Sequence, residues 1–263
     1  MKRRQLIRYG AMGVLASAGA VLGGRNRAIA APSLSIEYHG HTCFRISDSA
    51  LTVLNNPFKT VGCTANYPAP RFNADVVTIS SHLLDEGYIQ ELPGNPGLLR
   101  RPGLYKFKDT QFQGLGMPHD RVGGFRFGRN IAWLWQQAGL NIFQMGGAAG
   151  ELDSELRILI GRPDVLILPV GGGEKAYNAQ EAIAVIEELN PRLVIPSHYR
   201  TAAADDATCN IEPLDSFVDA FAEAQGSGRI KTIGNSRITI TDNSLPTDGG
   251  PIVRVLTPTI VSS

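Results

Sequence analysis

Short runs that alternate apolar and polar residues dominate the first half of the chain, and continuous apolar runs mark the second half. Residues 34–38, 43–46 and 51–54 are alternating segments separated by short turns, a pattern typical of a meander of half-buried strands. Residues 165–170 and 193–195 are continuous apolar runs, which predicts fully buried strands. A β-branched run at the start of residues 75–80 predicts one more buried strand, which ends in a polar loop.

Helical spacing is confined to the second half in this interpretation. We expect a helix over Ser154–Ile160. Asn178 has Glu181 three residues later, which is the spacing of a capping box, and apolar residues follow at helical intervals. A third helix near residues 214–224 and a final hairpin near residues 229–240 complete the predicted elements.

These elements predict a single α/β domain over residues 31–241. Residues 242–263 are rich in Thr, Pro and Ser, and we expect this tail to be poorly ordered. The chain of 263 residues is long enough to bury a sizeable core, and its 43% hydrophobic and 19% charged residues are ordinary for a globular protein. The formal net charge of +1 leaves no basic surplus, so we expect no nucleic-acid partner.

The first thirty residues have the three-part layout of a secretory signal. A basic segment at residues 2–8 precedes an uncharged run at residues 10–24, and residues 28–30 supply a small-x-small cleavage site. The adjacent arginines resemble the twin-arginine type. Because a bilayer span needs about 20 apolar residues, the uncharged run is too short to be an anchor. We expect residues 1–30 to be cleaved after twin-arginine export to a periplasm or thylakoid-type lumen, with no transmembrane segment in the mature chain.

Three cysteines, Cys43, Cys63 and Cys209, show no Cys-x-x-Cys spacing. This argues against a disulfide scaffold and against a zinc site built from thiolates. One bridge can form, and the sequence does not choose between the three pairs.

Side chains that can carry chemistry follow several of the predicted strands. They are His82, Asp85, Glu86, His119 and His198. A single histidine at such a position is more often a hydrogen-bonded structural residue than a ligand. Because loops converge on one crevice at the carboxyl ends of strands, the presence of such residues after several strands favours a common site.

Several segments match, in order, the landmarks of a known superfamily. Residues 38–44 have the sequence Tyr-His-Gly-His-Thr-Cys-Phe, residues 56–58 are Asn-Pro-Phe, and residues 191–199 end in Pro-Ser-His-Tyr. They resemble the opening Gly-His strand, the Asp-Pro-Phe turn and the last strand of the metallo-β-lactamase-like superfamily, in particular its branch of small zinc-dependent hydrolases similar to ascorbate-6-phosphate lactonase. The resemblance covers about residues 36–201 and implies a four-layer αβ/βα sandwich.

The metal loop of this superfamily, His-x-His-x-Asp-His, corresponds to residues 81–86. Only its aspartate is retained, as Asp85. Ser81 and Leu83 stand in place of two histidines, and Glu86 stands in place of the last. The metal-binding loop is therefore degenerate, and the resemblance implies that the site resting on those two histidines is empty.

The rest of the ligand set also follows from the resemblance. His119 and His198 match its two remaining histidines, while Gly147 occupies the position of a bridging aspartate. Asp85, Glu86 and His198 then form a reduced set for one divalent ion, with His119 as an additional ligand or proton shuttle. Asp85 and His119 are the candidate catalytic residues.

These residues predict a metal-dependent hydrolase of a small ester, lactone or phosphate-bearing compound. Its single ion is expected to be zinc, with manganese or iron as alternatives. The alternative is a non-catalytic relative without metal, which acts as a binding or assembly factor in the exported compartment. Leu83 filling the crevice would be a mark of that alternative. The first hypothesis implies a small-molecule substrate and the second a protein partner, and the oligomeric state stays open.

Two further features each allow two interpretations. Glycines 171–173 and Lys175 follow a predicted strand, so Lys175 and Arg200 are candidates to hold an anionic substrate, although such charges are commonly just solvated. Trp133 and Trp135 alternate along a predicted strand, which favours core packing over an exposed partner patch.

Overall fold

The computed structural model describes residues 31–261 and contains two β-sheets with three α-helices. The strands, in chain order, are β1 (Leu34–Gly40), β2 (Cys43–Ser47), β3 (Thr52–Asn55), β4 (Val76–Thr78), β5 (Gly97–Leu99), β6 (Gly103–Phe107), β7 (Thr110–Pro118), β8 (Arg129–Gln137), β9 (Leu140–Gln144), β10 (Val165–Pro169), β11 (Leu193–Ser197), β12 (Ile230–Ile233), β13 (Arg237–Ile240) and β14 (Ile252–Leu256). The helices are α1 (Ser154–Ile160), α2 (Ala179–Leu189) and α3 (Asp215–Gln225).

Strand order places several strand ends at the same edge. The six-stranded sheet has the order β13-β1-β2-β3-β4-β5, and the eight-stranded sheet has the order β12-β14-β11-β10-β9-β8-β7-β6. Strands β9, β10, β11 and β14 are parallel to one another, and β7 shares their direction because β8 is antiparallel to both β7 and β9. The loops that follow β7, β9, β10 and β11 therefore leave the sheet at one edge.

Side-chain alternation explains how the six-stranded sheet buries both of its faces. Successive residues of a strand point to opposite faces. Val53 and Val76 belong to the main core that includes both sheets, whereas their neighbours Leu54 and Val77 belong to a second apolar cluster. In the main core Trp133 is fully buried and donates its indole N–H to the Ile79 carbonyl at 3.0 Å. The sheets therefore face each other across this core.

The two outer layers are built differently. Helix α2 contributes buried residues to the core on the side of the eight-stranded sheet, and it packs against α3. Its first turn has the predicted capping box, with Asn178 and Glu181 bonded reciprocally at 2.9 and 2.8 Å. The second cluster is covered by irregular chain, represented by Phe58 and Tyr67, instead of an α-helix. The α/β class with two facing sheets is confirmed.

The C-terminal part of the chain differs from the expectation. The predicted hairpin at residues 229–240 does not form, because β12 pairs with β14 in the eight-stranded sheet while β13 pairs with β1 in the other. The tail expected to be poorly ordered contains β14, which lies between β11 and β12 with Val253 fully buried. The alternating segment Ile-Val-Arg-Val-Leu forms this strand, although the residues around it are rich in Thr, Pro and Ser.

Residues 1–30, predicted to be a cleaved export signal, lie outside the described residues. Within residues 31–261, no helix combines the length and apolar character needed to cross a bilayer.

A disulfide joins Cys63 to Cys209, and Cys43 is a buried free thiol. The bridged residues are 146 positions apart, with their Cα atoms 4.8 Å from each other. Cys63 lies in a 3₁₀ turn, Gly62–Thr64, and Cys209 lies in the loop after β11. Because the bridge closes a long loop, it restricts the unfolded chain strongly.

We expect the Cys63→Ser/Cys209→Ser double variant to lose about 2–5 kcal/mol of unfolding free energy, the usual effect of removing a native disulfide. Urea unfolding without reductant measures this loss. Reductant should lower the urea midpoint of the wild-type protein and leave the double variant unchanged. Equal midpoints for the two proteins without reductant would contradict a stabilising bridge.

Candidate metal centre

Three buried side chains place potential ligand atoms close together. One ligand atom from each of His41, Glu86 and His198 lies within 4.8 Å of the others. None of the three residues is more than 1% exposed. His41 follows β1, Glu86 lies in the loop after β4, and His198 directly follows β11. The cluster therefore forms where loops from both sheets meet.

Backbone geometry fixes the two histidines of this cluster. His41 and His198 have positive φ angles of 55° and 52°, a conformation that is uncommon for residues other than glycine. The His198 N–H donates to the His41 carbonyl at 2.7 Å, and the Tyr38 hydroxyl donates to the same carbonyl at 3.1 Å. These bonds hold both turns in place and join the two sheets directly at the site.

Glu86 is a fully buried carboxylate surrounded by groups that stabilise its negative charge. The Ser81 hydroxyl donates to Glu86 Oε2 at 3.0 Å, and His119 Nε2 lies 3.2 Å from the same oxygen. His198 Nδ1 lies 3.8 Å from Oε1. Burial acts to raise the pKa of Glu86, but the nearby His119 and Lys175 outweigh it and lower the pKa to about 2. Glu86 is therefore ionised at neutral pH.

Gly147 leaves the space that this carboxylate occupies. It lies in the loop after β9, and its N–H donates to Asn130 at 3.1 Å. A Cβ atom at position 147 would overlap Glu86 Oε1 and lie 2.5 Å from His119 Nε2. Any larger residue at this position therefore requires Glu86 or His119 to move.

Asp85 is hydrogen-bonded to a lysine and lies next to His41 of the three-residue cluster. Its Oδ2 lies 2.6 Å from Lys175 Nζ and 3.6 Å from His41 Nε2. Burial opposes ionisation of Asp85, but the proximity of His41 and Lys175 lowers its pKa well below the usual value. Burial likewise disfavours the Lys175 ammonium, and Glu86 and Asp85 raise its pKa in spite of it. The pair is therefore charged on both sides.

The unpartnered atoms of the site suit a cation. Within residues 31–261, both ring nitrogens of His41 and His198 are buried without a hydrogen-bond partner, as are His119 Nδ1 and Glu86 Oε1. Buried polar atoms in proteins nearly always have a partner. Burial, reinforced by His41, lowers the pKa of His198 well below its ordinary value, which keeps the neutral imidazole that metals require. Imidazole nitrogen with one carboxylate oxygen is a usual donor set for a divalent transition metal.

The structure brings together three of the four predicted ligands and adds one residue. Glu86, His119 and His198 converge, and Asp85 is adjacent but bonded to Lys175. His41 is the functional candidate that was not predicted to be a ligand. Its signal was the Gly-His pair in the turn that follows the first strand.

Several other candidates lie away from the cluster. His82 is exposed. Arg200 is 40% exposed and faces Asp206 at 3.8 Å. Trp133 and Trp135 are buried in the core, which confirms core packing over a partner patch.

Comparisons with known proteins identify the family and the fold of this chain. A family model described as a β-lactamase superfamily domain matches residues 35–198. A UPF0173 metal-dependent hydrolase of Thermoplasma volcanium is 24% identical over 190 residues, covering 64% of this chain and 84% of that protein. A crystal structure of a proposed Zn-dependent hydrolase of the metallo-β-lactamase superfamily from Thermotoga maritima matches with a TM-score of 0.65 and 25% identity, covering 85% of this chain and 100% of that one.

A second solved structure shares the fold at lower identity. It is a metallo hydrolase, Igni18, from the archaeon Ignicoccus hospitalis, with a TM-score of 0.58, 15% identity and coverage of 79% of this chain and 98% of that one. Because the family model matches more than half of the chain, this protein belongs to the β-lactamase superfamily and has its metallo-β-lactamase-like fold. The ascorbate-6-phosphate lactonase branch stays a prediction.

We expect Gly147→Ala to destabilise the fold by about 1–3 kcal/mol, because the added methyl group overpacks the contact between Glu86 and His119. Urea unfolding measures the change. Gly228→Ala is the matched control, since a Cβ at position 228 meets nothing within 4 Å. Equal losses in the two variants would show that the packing at position 147 is not the cause.

Proposed function

We propose that the protein is a metal-dependent hydrolase whose single ion is held by His41, Glu86 and His198. The observation that carries this proposal is the set of buried nitrogen and oxygen atoms without partners at the meeting point of the two sheets. The names of the Thermoplasma and Thermotoga relatives, both hydrolases that depend on metal or zinc, support the same activity. Three protein ligands and an open position are typical of a catalytic site.

Zinc is the proposed ion, with manganese or iron as alternatives, because two imidazoles and one carboxylate suit all three. A divalent ion in such a site acts as a Lewis acid toward a carbonyl or phosphoryl oxygen and activates water. His119 would serve as an additional ligand or hold a proton at Nε2, 3.2 Å from Glu86 Oε2. The Ser81 hydroxyl keeps the Glu86 carboxylate oriented by its bond to Oε2.

A cavity of about 370 Å³ opens on this cluster and supports a small-molecule substrate. His41 and His198 form part of its wall, and Leu83, Phe127 and Ile211 provide apolar surface. A volume of this size fits a compact ester, lactone or phosphate-bearing compound. Hydrolysis of such a compound is the reaction we propose.

The alternative is a relative without metal that acts as a binding or assembly factor. That hypothesis expects an aliphatic side chain in the crevice, but Leu83 lines the cavity and leaves it open. It also expects exposed hydrophobic residues, and Phe125 and Ile158 are 91% and 81% exposed. Phe125 lies in the loop between β7 and β8, and Ile158 lies in α1, so the two belong to different elements of the chain. The open cavity favours the hydrolase.

We propose further that the protein is exported by the twin-arginine route. The basic segment at residues 2–8 and the small-x-small site at residues 28–30 support this. The Cys63–Cys209 bridge supports an oxidising compartment, because disulfides persist there and are rare in the cytosol. The compartment proposed is a periplasm or a thylakoid-type lumen.

An Arg3→Lys/Arg4→Lys variant of the full chain should accumulate in the cytoplasm with its first thirty residues intact, because the twin-arginine pair is the recognised element. Cell fractionation and intact mass measurement test this. Export of the variant at the wild-type level would rule out the twin-arginine route.

Protein purified without chelator should contain about one equivalent of a transition metal, as a site with three protein ligands requires. His41→Ala, Glu86→Gln and His198→Ala should each lose most of it. Elemental analysis by mass spectrometry measures the content, and chelator should lower the melting temperature of the wild-type protein because a bound ligand stabilises the folded state.

His82→Ala is the matched control for the histidine variants, because His82 is exposed beside the same loop, and it should keep the wild-type metal content. Asp85→Asn separates the two ligand sets. It keeps the metal if His41, Glu86 and His198 are the ligands, and it loses the metal if Asp85 is one of them. A wild-type protein that holds no metal at any loading would contradict the hydrolase proposal and favour the binding or assembly factor.

A further inference from the structure

Lys175 lies in the loop that follows β10 and borders the same cavity as the His41–Glu86–His198 cluster. Gly171 in this loop is so close to the chain at His198 that an added Cβ would overlap the His198 carbonyl. The Gly171 carbonyl accepts a hydrogen bond from the Glu212 N–H at 2.6 Å. The glycine thus allows the loop to pack directly against the segment that carries His198. As a result Lys175 lines the same cavity as His41 and His198.

The Lys175 ammonium has hydrogen-bonding capacity left over. Its side chain is only 18% exposed, and Nζ donates to Asp85 Oδ2 at 2.6 Å. The Phe127 ring centroid lies 5.8 Å from Nζ. An ammonium group carries three donors, and in the part of the chain that the structure describes Asp85 is the one acceptor bonded to it. Two donors therefore stay free for a molecule in the cavity.

The charges around the cavity favour an anion once a metal is present. Asp85 and Glu86 contribute two negative charges and Lys175 one positive charge. A divalent cation would convert the summed charge of these three side chains and the ion from −1 to +1. Among the described residues that line this cavity, Lys175 is the one lysine or arginine. Lys175 is therefore the cation available to a ligand from inside the cavity.

We propose that Lys175, oriented by Asp85, binds an anionic group of the substrate, so that the enzyme acts on small compounds carrying a carboxylate or a phosphate. This rests on the proposed hydrolase function and names its substrate class. The apolar wall formed by Leu83, Phe127 and Ile211 accepts the uncharged part of the same molecule. Asp85 is in this proposal a positioning residue for Lys175 and not a metal ligand.

Isothermal titration of the protein purified after expression of the full chain, with inorganic phosphate and with acetate, tests the proposal. The metal content is measured on each sample. The wild-type protein should bind at least one of the anions, and the stronger of the two identifies phosphate or carboxylate as the preferred group. Lys175→Gln should weaken that binding by about tenfold or more, the usual effect of losing a charge-assisted hydrogen bond. Lys175→Arg, which keeps the charge, should retain most of it.

Lys231→Gln is the matched control, because it removes the same charge from an exposed position on β12, and it should bind like the wild-type protein. Wild-type affinity in Lys175→Gln would overturn the proposal, since the anion would then be held by the metal or by other groups. Failure of the wild-type protein to bind either anion in the millimolar range would overturn it as well.

The same titrations on protein stripped of metal separate this proposal from the hydrolase function. A protein that never contains metal refutes the proposed function, yet a difference in anion affinity between wild type and Lys175→Gln would still support the Lys175 site. Conversely, if the wild-type protein contains metal and binds the anions with the same affinity as Lys175→Gln, the Lys175 site is refuted and the hydrolase proposal stays intact.

Discussion

A carboxylate without solvent contact, Glu86, is the group around which the site is arranged. An ionised carboxylate loses its hydration on burial, and this is costly unless neighbouring charges and hydrogen bonds replace the water. At Glu86 Oε2, the Ser81 hydroxyl and His119 Nε2 take the place of water. Glu86 Oε1 lacks a hydrogen-bond partner among the described residues. The unmatched oxygen lies on the side of His198. A buried negative charge beside imidazole nitrogens without hydrogen-bond partners defines a place for a cation.

Both sheets contribute to this place, so its geometry depends on how they are joined. His41 belongs to the turn after β1 in one sheet, and His198 follows β11 in the other. The 2.7 Å bond between their backbones fixes their separation. The Cys63–Cys209 bridge adds a covalent tie between loops that flank the same cavity, since Cys63 is one of its lining residues. Stability of the fold and shape of the site therefore rest on the same contacts.

Asp85 and Glu86 are adjacent in sequence and have different roles in the structure. Glu86 lies at the imidazoles, whereas Asp85 is bonded to Lys175, ninety positions along the chain. The position of the Glu86 carboxylate depends on a glycine in another loop. Gly147 frees the volume that Glu86 Oε1 fills, because a Cβ there would overlap that oxygen. The Glu86 carboxylate, in the loop after β4, thus occupies space that a side chain at position 147, in the loop after β9, would need.

Much of the secondary structure was determined by local pattern, because alternation, continuous apolar runs and the Asn178–Glu181 capping box are properties of neighbouring residues. The same local reasoning identified Glu86, His119 and His198 at strand ends. It could not identify His41 as their partner, pair Cys63 with Cys209, or place β12 and β13 in different sheets. Those facts depend on contacts between distant segments, which only the order of strands in two packed sheets decides.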